Sequence, residues 1–516
     1  HSIRRRQRQM CIRDRLKLDH DTIVIILASG LIIEGFPVLR VAHFILGTAV
    51  IASLGACSVE RASRGAPDDA SKQPNILLLS IDDLRPDLGS YGHPVAVTPN
   101  LDAFAATGLL FERAYTQQAV CTPSRAALLT GLRPATTGIK RLDQTVSDTV
   151  PNIITLNKLF KQNGYETVSV GKIYHHAKDD RDGWSQPPYD QAYKARQDRR
   201  KKGLPRIAHD VWTSDELLPD EKNIAHAMTE LERFSQQDAP FFLAVGLHRP
   251  HLPFRAREKD WDHYSTINIP GPVSDKPPVG APRWAVVAWE IWNYDDTPPK
   301  HGPMPFDKAE VLRHGYLASV SYADDLVGQL LDKVSSLGLD DETIVVIWSD
   351  HGFKLGDHGG WAKHSTVELD IHIPMMIRVP GMNTAGQRSS ALVETVDVYP
   401  TLLEAAGLNQ PHALEGLSML PLVAQPQRLW KEAAFAQYPR HVNKQLLMGK
   451  TVRTDRYRYT AWVVDKTGEI LAQELYDHQI DPHETRSVSE NPDYIDVLER
   501  HEALRQAGWR AVRQNL

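Results

Sequence analysis

The chain is poor in cysteine: Cys11, Cys57 and Cys121 are the only three among 516 residues. Three thiols cannot build a disulfide framework, so an apolar core must hold the fold. An excess of basic charge is also missing. The net charge is −5, which argues against a nucleic-acid binder with a broad cationic face. An acidic substrate still fits, because a site needs only a local cationic cluster. No internal repeat or low-complexity tract interrupts the chain. What is present is ordinary for a globular protein: 42% apolar and 24% charged residues leave no reason to expect disorder. The length accommodates one large domain and a smaller one.

The front of the chain reads separately. His1–Arg15 is densely basic and starts without methionine; it reads as a cationic tail or as residues foreign to the native chain, and is set aside. Thr22–Ile33 is apolar but short of the roughly 20 residues that span a bilayer. After Arg40 comes V-A-H-F-I-L-G-T-A-V-I-A-S-L-G-A-C, an apolar run ending in small residues, as in a secretory signal. Its last four residues, Leu54 to Cys57, match a bacterial lipoprotein box, which would make Cys57 the lipidated first residue of an exported protein. Plain signal cleavage and an uncleaved anchor are the competing readings. The expected location is periplasmic, or anchored to a bacterial membrane. The polar stretch from Ser58 to Gln73 reads as a tether, so residues 1–73 stand apart from a large domain at 74–430 and a smaller one at 431–516.

The most informative stretch is Q-Q-A-V-C-T-P-S-R-A-A-L-L-T-G, Gln117 to Gly131. It predicts a loop bearing Cys121 that enters a short helix, with Pro123 in its first turn and Gly131 as its stop. Ser124 and Arg125 then sit near a helix N-terminus, which favours an anion. Elsewhere, apolar runs predict buried strands of a parallel sheet: Asn75–Ile81, Phe241–Gly246 and Thr343–Trp348. Polar residues follow each one. Asp82 and Asp83 close the first run, and Asp350 and His351 close the third. Paired carboxylates at a buried strand end are costly unless paired or metal-bound, and ligands collect at that edge of open sheets. If the two strands are parallel neighbours, their carboxylates converge and suit calcium, a hard cation that prefers oxygen. Lys172 and His175 lie just past a strand at Tyr165–Val170, and His248 and His251 occupy a proline-rich loop after Gly246. Lys363 falls in a glycine-rich loop. Helices are predicted over 98–111, 151–163, 220–237, 307–337 and 493–510, and short alternating segments after Ala433 predict a small antiparallel sheet.

Taken in order, N-I-L-L-L-S-I-D-D-L, C-T-P-S-R, G-K-x-x-H, S-D-H-G and L-Y-D-x-x-x-D-P-x-E resemble the sulfatase family. D-D-L-R-P-D-L-G-S-Y-G, L-H-R-P-H-L-P-F-R and G-W-A-K-H-S are most similar to its iduronate-2-sulfatase branch. The resemblance implies an alkaline-phosphatase-like α/β fold: a large mostly parallel or mixed sheet flanked by helices, with a smaller C-terminal antiparallel subdomain. It implies that Cys121 is oxidised to formylglycine by a formylglycine-generating or anaerobic sulfatase-maturing enzyme. One calcium ion would be held by Asp82, Asp83, Asp350, His351 and residue 121. Arg125, Lys172 and Lys363 would neutralise the sulfate and the aldehyde hydrate, His175 would serve the hydrate, and His248 with Lys363 would face the leaving oxygen. The implied substrate is a sulfated oligo- or polysaccharide, with a 2-O-sulfated uronate of a glycosaminoglycan as the leading case. Phe353 stands where the family pattern implies tryptophan. A phosphonate or phosphate ester hydrolase of the same superfamily, and a non-catalytic polysaccharide-binding lipoprotein, are the alternatives.

Overall fold

The computed structural model describes residues 73–286, 290–298 and 303–514. The leader, the Cys57 box and the tether lie outside the described residues. In chain order the strands are β1 (Asn75–Ile81), β2 (Leu109–Tyr115), β3 (Glu166–Gly171), β4 (His209–Trp212), β5 (Phe241–Leu247), β6 (Phe254–Arg257), β7 (Thr343–Ser349), β8 (His372–Arg378), β9 (Arg388–Glu394), β10 (Ala434–Val442), β11 (Gln445–Arg453), β12 (Tyr457–Val464) and β13 (Ile470–Asp477).

Seven strands form the central sheet in the order β3-β5-β1-β7-β8-β2-β9. Every residue of β1, β5 and β7 is buried, as expected for strands covered by helices on both faces. β1 pairs in parallel with β5 and with β7, so the expected convergence of their carboxyl ends holds: Ile81 lies opposite Ser349. The sheet is mixed because β8 runs antiparallel to both β7 and β2. The helix Phe306–Ser336 buries much of its length against one layer of the core, and Cys121–Thr130 lies in the other.

Two local departures from the sequence reading have identifiable causes. The helix expected over 98–111 ends at Thr107, and Leu109–Phe111 instead opens β2. Gly108 breaks the helix with extended backbone, and the apolar residues beyond it are drawn into the sheet by tertiary pairing rather than by their period. The helix expected from Pro151 begins only at Leu156, where the Thr155 hydroxyl caps it, a better N-terminal signal than proline alone.

A glycine pair sets the site's edge. At Gly171 (φ +72) a Cβ would lie 2.0 Å from the Gly246 carbonyl, and at Gly246 one would lie 2.1 Å from the Lys172 carbonyl. Only bare backbone lets β3 and β5 close this tightly. The contact fixes where the chain turns and therefore where Lys172 leaves the sheet.

β10 to β13 form a separate four-stranded antiparallel meander, with the helix Ile495–Gln514 against it. Glu484, the last residue of the L-Y-D-x-x-x-D-P-x-E run, ties this sheet to the short helix Glu368–Ile371 before β8. It accepts a two-point fork from Arg458 (2.5 and 2.8 Å) and a 3.0 Å bond from the Glu368 backbone N–H. His478 adds a 2.8 Å contact. Burial opposes the charge of Glu484, but Arg458 and His478 outweigh it and hold the carboxyl well below its usual range. A depressed carboxyl stabilises the fold above its unfolded value and loses that contribution as pH falls towards the folded one. The wild type is therefore expected to exceed Glu484→Gln by about 3 kcal/mol near neutrality, with the gap closing below about pH 4.3. Urea melts at pH 7, 5 and 4 check this, and a gap that widens on acidification would refute it.

Candidate active site

The helix Cys121–Thr130 starts at Cys121 itself, with extended Val120 before it and left-handed Gly131 (φ 66) after it. This is tighter than the loop-then-helix expected, and it puts the thiol on the first turn. All ten helical residues are buried. Cys121 Sγ sits 3.4 Å from Lys172 Nζ and 3.3 Å from His351 Nε2. Donor atoms of Asp82, Asp83, Cys121 and His351 all lie within 4.8 Å of one another. Four residues called from three separate stretches thus meet at one point.

Arg125 organises the floor. Its Nε donates to Asp350 (2.8 Å), one Nη to Asp82 (3.1 Å), and the other to Ser80 Oγ and the Ile173 carbonyl (both 3.0 Å). A rigid planar donor fork holds two carboxylates with directed bonds that a flexible ammonium does not preorganise. Asp350 also accepts the backbone N–H groups of Asp83 (3.2 Å) and His351 (3.1 Å). Asp83 adopts φ 63 and His364, beside Lys363, φ 79. Such left-handed positions cost strain for side chains other than glycine and gather at functional sites.

The two adjacent carboxylates are driven apart in acidity. Burial would raise Asp82, but Lys172, His251 and Arg125 outweigh it and hold Asp82 well below the usual range. Lys172 touches it directly. Burial, helped by the charge of Asp82 and opposed by Lys363, pushes Asp83 up to about 7. Burial disfavours charge on His351, yet Asp350, Cys121 and Asp83 push it up to about 10. Like charges crowded in a dry site part in this way. The surrounding charges thus favour a proton on His351, burial opposes full ionisation of Asp83, and a divalent cation binds by displacing such protons. A carboxylate-rich, buried donor set with those properties fits a hard cation such as calcium.

The remaining predicted residues form the rim. Lys363 Nζ lies 2.8 and 3.0 Å from the two Asp83 oxygens. His175 has a buried Nδ1 without a hydrogen-bond partner, and burial with nearby Lys172 lowers it to about 2, so its ring is neutral. His248 turns to Asp190 at 3.1 Å. His251, ranked below His248 in the sequence, is the histidine grouped with Asp83 and Glu290. Glu290 itself was missed: it contacts Lys363 at 3.0 Å from a segment with no periodic pattern. Phe353 is fully buried, edge-on to Phe254, with Lys363 Nζ 5.7 Å from its ring; it backs the lysine from within the core.

Comparison with known proteins places this geometry. The sulfatase family model matches residues 74–408, and the model for the C-terminal part of N-sulphoglucosamine sulphohydrolase matches 356–507. Human iduronate 2-sulfatase is 34% identical, over 82% of this chain and 93% of its own. The phosphonate monoester hydrolase of Agrobacterium radiobacter superposes with a TM-score of 0.71 at 22% identity, covering 86% of this chain and 96% of that one. BT1596, a 2-O GAG sulfatase, superposes at 0.63 with 22% identity, covering 84% and 90%. These two structures share the fold. The matched family model spans the converging strands and the Cys121 helix, and with it the chain belongs to the sulfatase family, enzymes that hydrolyse sulfate esters.

Proposed function

We propose that the protein removes sulfate from a sulfated sugar, with a 2-O-sulfated uronate in a glycosaminoglycan-like chain as the preferred substrate. The observation that carries this reading is the placement of Cys121 Sγ between Lys172 and His351, against two buried aspartates. The similarity to iduronate 2-sulfatase supports the choice of sugar. In this reading a maturing enzyme oxidises Cys121 to formylglycine, whose hydrate supplies the oxygen nucleophile. Asp82, Asp83, Asp350, His351 and residue 121 would hold one calcium ion, which when bound offsets charge on the sulfate. An exported, lipid-anchored protein, as the Leu54–Cys57 box implies, would meet such a polymer outside the cytoplasm.

The chain's own side chains divide the remaining work. A sulfate monoester repels nucleophiles because its oxygens are negative, so preorganised cations lower the barrier. Lys172 stands beside the nucleophile at 3.4 Å, and Lys363 stands on the Asp83 side. Arg125 holds Asp82 and Asp350 in register. His175, neutral and with a free buried nitrogen, would serve the hydrate as its hydrogen-bond partner. Lys363 serves the departing oxygen together with a histidine of the His248–His251 loop.

The test uses protein from a host competent for formylglycine formation. The peptide spanning residue 121 is expected to be lighter than its cysteine form by about 18 Da, the difference between thiol and aldehyde in an activated nucleophile. Sulfate release is then compared across 2-O-sulfated uronides, sugars sulfated elsewhere, and a phosphonate monoester. An unmodified thiol with no sulfate release would sink the reading, and faster cleavage of the phosphonate would transfer it to the superfamily alternative.

A further inference from the structure

We propose that Glu290 is the positioning residue of the leaving-group side, fixing Lys363 beside His251 where a sugar oxygen departs. The inference rests on the sulfatase reading above and assigns a role to a residue outside the motif set.

Glu290 arrives from the segment between β6 and the helix Phe306–Ser336, a stretch the sequence left without a role. Its Oε1 lies 3.0 Å from Lys363 Nζ and 3.7 Å from His251 Nε2, and its Oε2 lies 3.5 Å from His364 Nε2. Burial opposes the charge, but Lys363 and His364 keep the Glu290 carboxyl well below its ordinary range. Asp83, His251 and Glu290 bring donor atoms within 4.8 Å of one another, which raises the question of a second cation. The Lys363 ammonium already lies 2.8–3.0 Å from both carboxylates, so the cluster is built around an ammonium.

Lys363 needs that second partner. Asp83 also belongs to the donor set around Cys121, and a carboxylate serving there cannot alone fix a lysine head on a flexible stem. Glu290 stands outside that set. Its carboxylate meets the ammonium at 3.0 Å, and the fully buried Phe353 ring lies 5.7 Å from the same nitrogen. His251 stands beside it, its Nε2 3.7 Å from the same carboxylate and its ring held neutral by burial and the nearby Lys363. Its Nδ1 lies 2.6 Å from the Leu252 carbonyl, an acceptor only, so Nδ1 carries a proton and Nε2 is the nitrogen turned to Glu290. Exposure marks this as the entrance: the side chains of Glu290 and His251 are 14% and 19% exposed, whereas those of Asp82, Asp350 and His351 are at 0%.

In the reaction, the nucleophile's oxygen bonds to sulfur while the bond from sulfur to the sugar oxygen breaks. The electron pair of that bond goes to the sugar oxygen, which takes one proton from the Lys363 ammonium. An alkoxide needs this proton, and a nitrophenolate does not. General-acid assistance of this kind is worth about 10²–10⁴-fold.

Glu290→Ala and Glu290→Gln are compared with the wild type on a 2-O-sulfated uronide and on p-nitrophenyl sulfate. Glu290→Ala is expected to lower kcat on the uronide by about 10²-fold, with KM changed by less than about threefold, a loss confined to the transition state. The aryl sulfate should lose less than about fivefold, because its leaving group departs unprotonated. Glu290→Gln, which keeps one acceptor oxygen, should recover part of the loss, and it decides the matter if the alanine variant melts early. Equal losses on both substrates, or a uronide loss carried mainly by KM, would overturn the proposal. If the aryl sulfate is not cleaved by the wild type, the split between kcat and KM on the uronide is decisive. A wild type inactive on both substrates overturns the sulfatase reading and this inference together, whereas an active wild type with an unaffected Glu290→Ala variant overturns this inference alone.

Discussion

A Cys121→Ala variant is expected to lose sulfate release by about 10³-fold or more, because an activated nucleophile has no substitute nearby. Its melting temperature should stay within a few degrees of the parent. The thiol fills little volume, and its neighbours Lys172 and His351 keep their contacts to Asp82 and Asp350. Cys121→Ser separates the nucleophile from its recycling. A serine hydroxyl can take sulfate but has no second hydroxyl with which to collapse and expel it. The serine variant should therefore accumulate a covalent adduct heavier by about 80 Da, as expected when covalent catalysis stalls at its intermediate. Continuous turnover by either variant, with the parent peptide carrying an unmodified thiol, would show that residue 121 is not the nucleophile.

Such a prediction could be framed from sequence because the reactive residues are local. Each of Asp82, Asp83, Cys121, Arg125, Lys172, Asp350 and His351 follows or opens a segment whose burial is written in its composition. Apolar runs such as N-I-L-L-L-S-I and T-I-V-V-I-W fold into β1 and β7, and parallel pairing then brings their ends together. β2 was harder to read. Its residues L-L-F-E-R-A-Y carry on the apolar content of the preceding helix, and only pairing with β8 and β9 makes them a strand. Glu290 marks the limit. It meets Lys363 across 73 residues from a segment rich in proline and tryptophan, and no local period can announce such a contact. The sequence reading ranked His248 above His251, and the structure turns His251 towards Glu290, for a related reason. The two lie three residues apart in one loop, and which ring turns to Asp190 and which to Glu290 depends on side chains from other elements.

The second large effect falls on Arg125. Its side chain is 1% exposed and is paired with Asp82 and Asp350, which are wholly buried. Arg125→Met removes the cation from both buried carboxylates, leaving Asp82 paired only with Lys172 among the described residues. Breaking a buried ion pair from one side costs about 3–5 kcal/mol, so the variant should melt well below the parent and release sulfate at least about 10²-fold more slowly, the scale of losing one preorganised donor. Arg125→Lys restores the charge but offers a compact ammonium in place of a planar fork with at least four directed bonds, and should recover part of the stability and little of the rate. Calcium supplies the discriminating arm. If Asp82 and Asp350 lie within reach of a bound cation, added calcium replaces some of the missing charge, and the melting deficit of Arg125→Met should narrow on titration by ordinary linkage. Magnesium, smaller and stricter in geometry, should narrow it less. A deficit that calcium leaves untouched would mean that these carboxylates answer to the guanidinium alone, and the cation would then have to be sought away from the Arg125 floor.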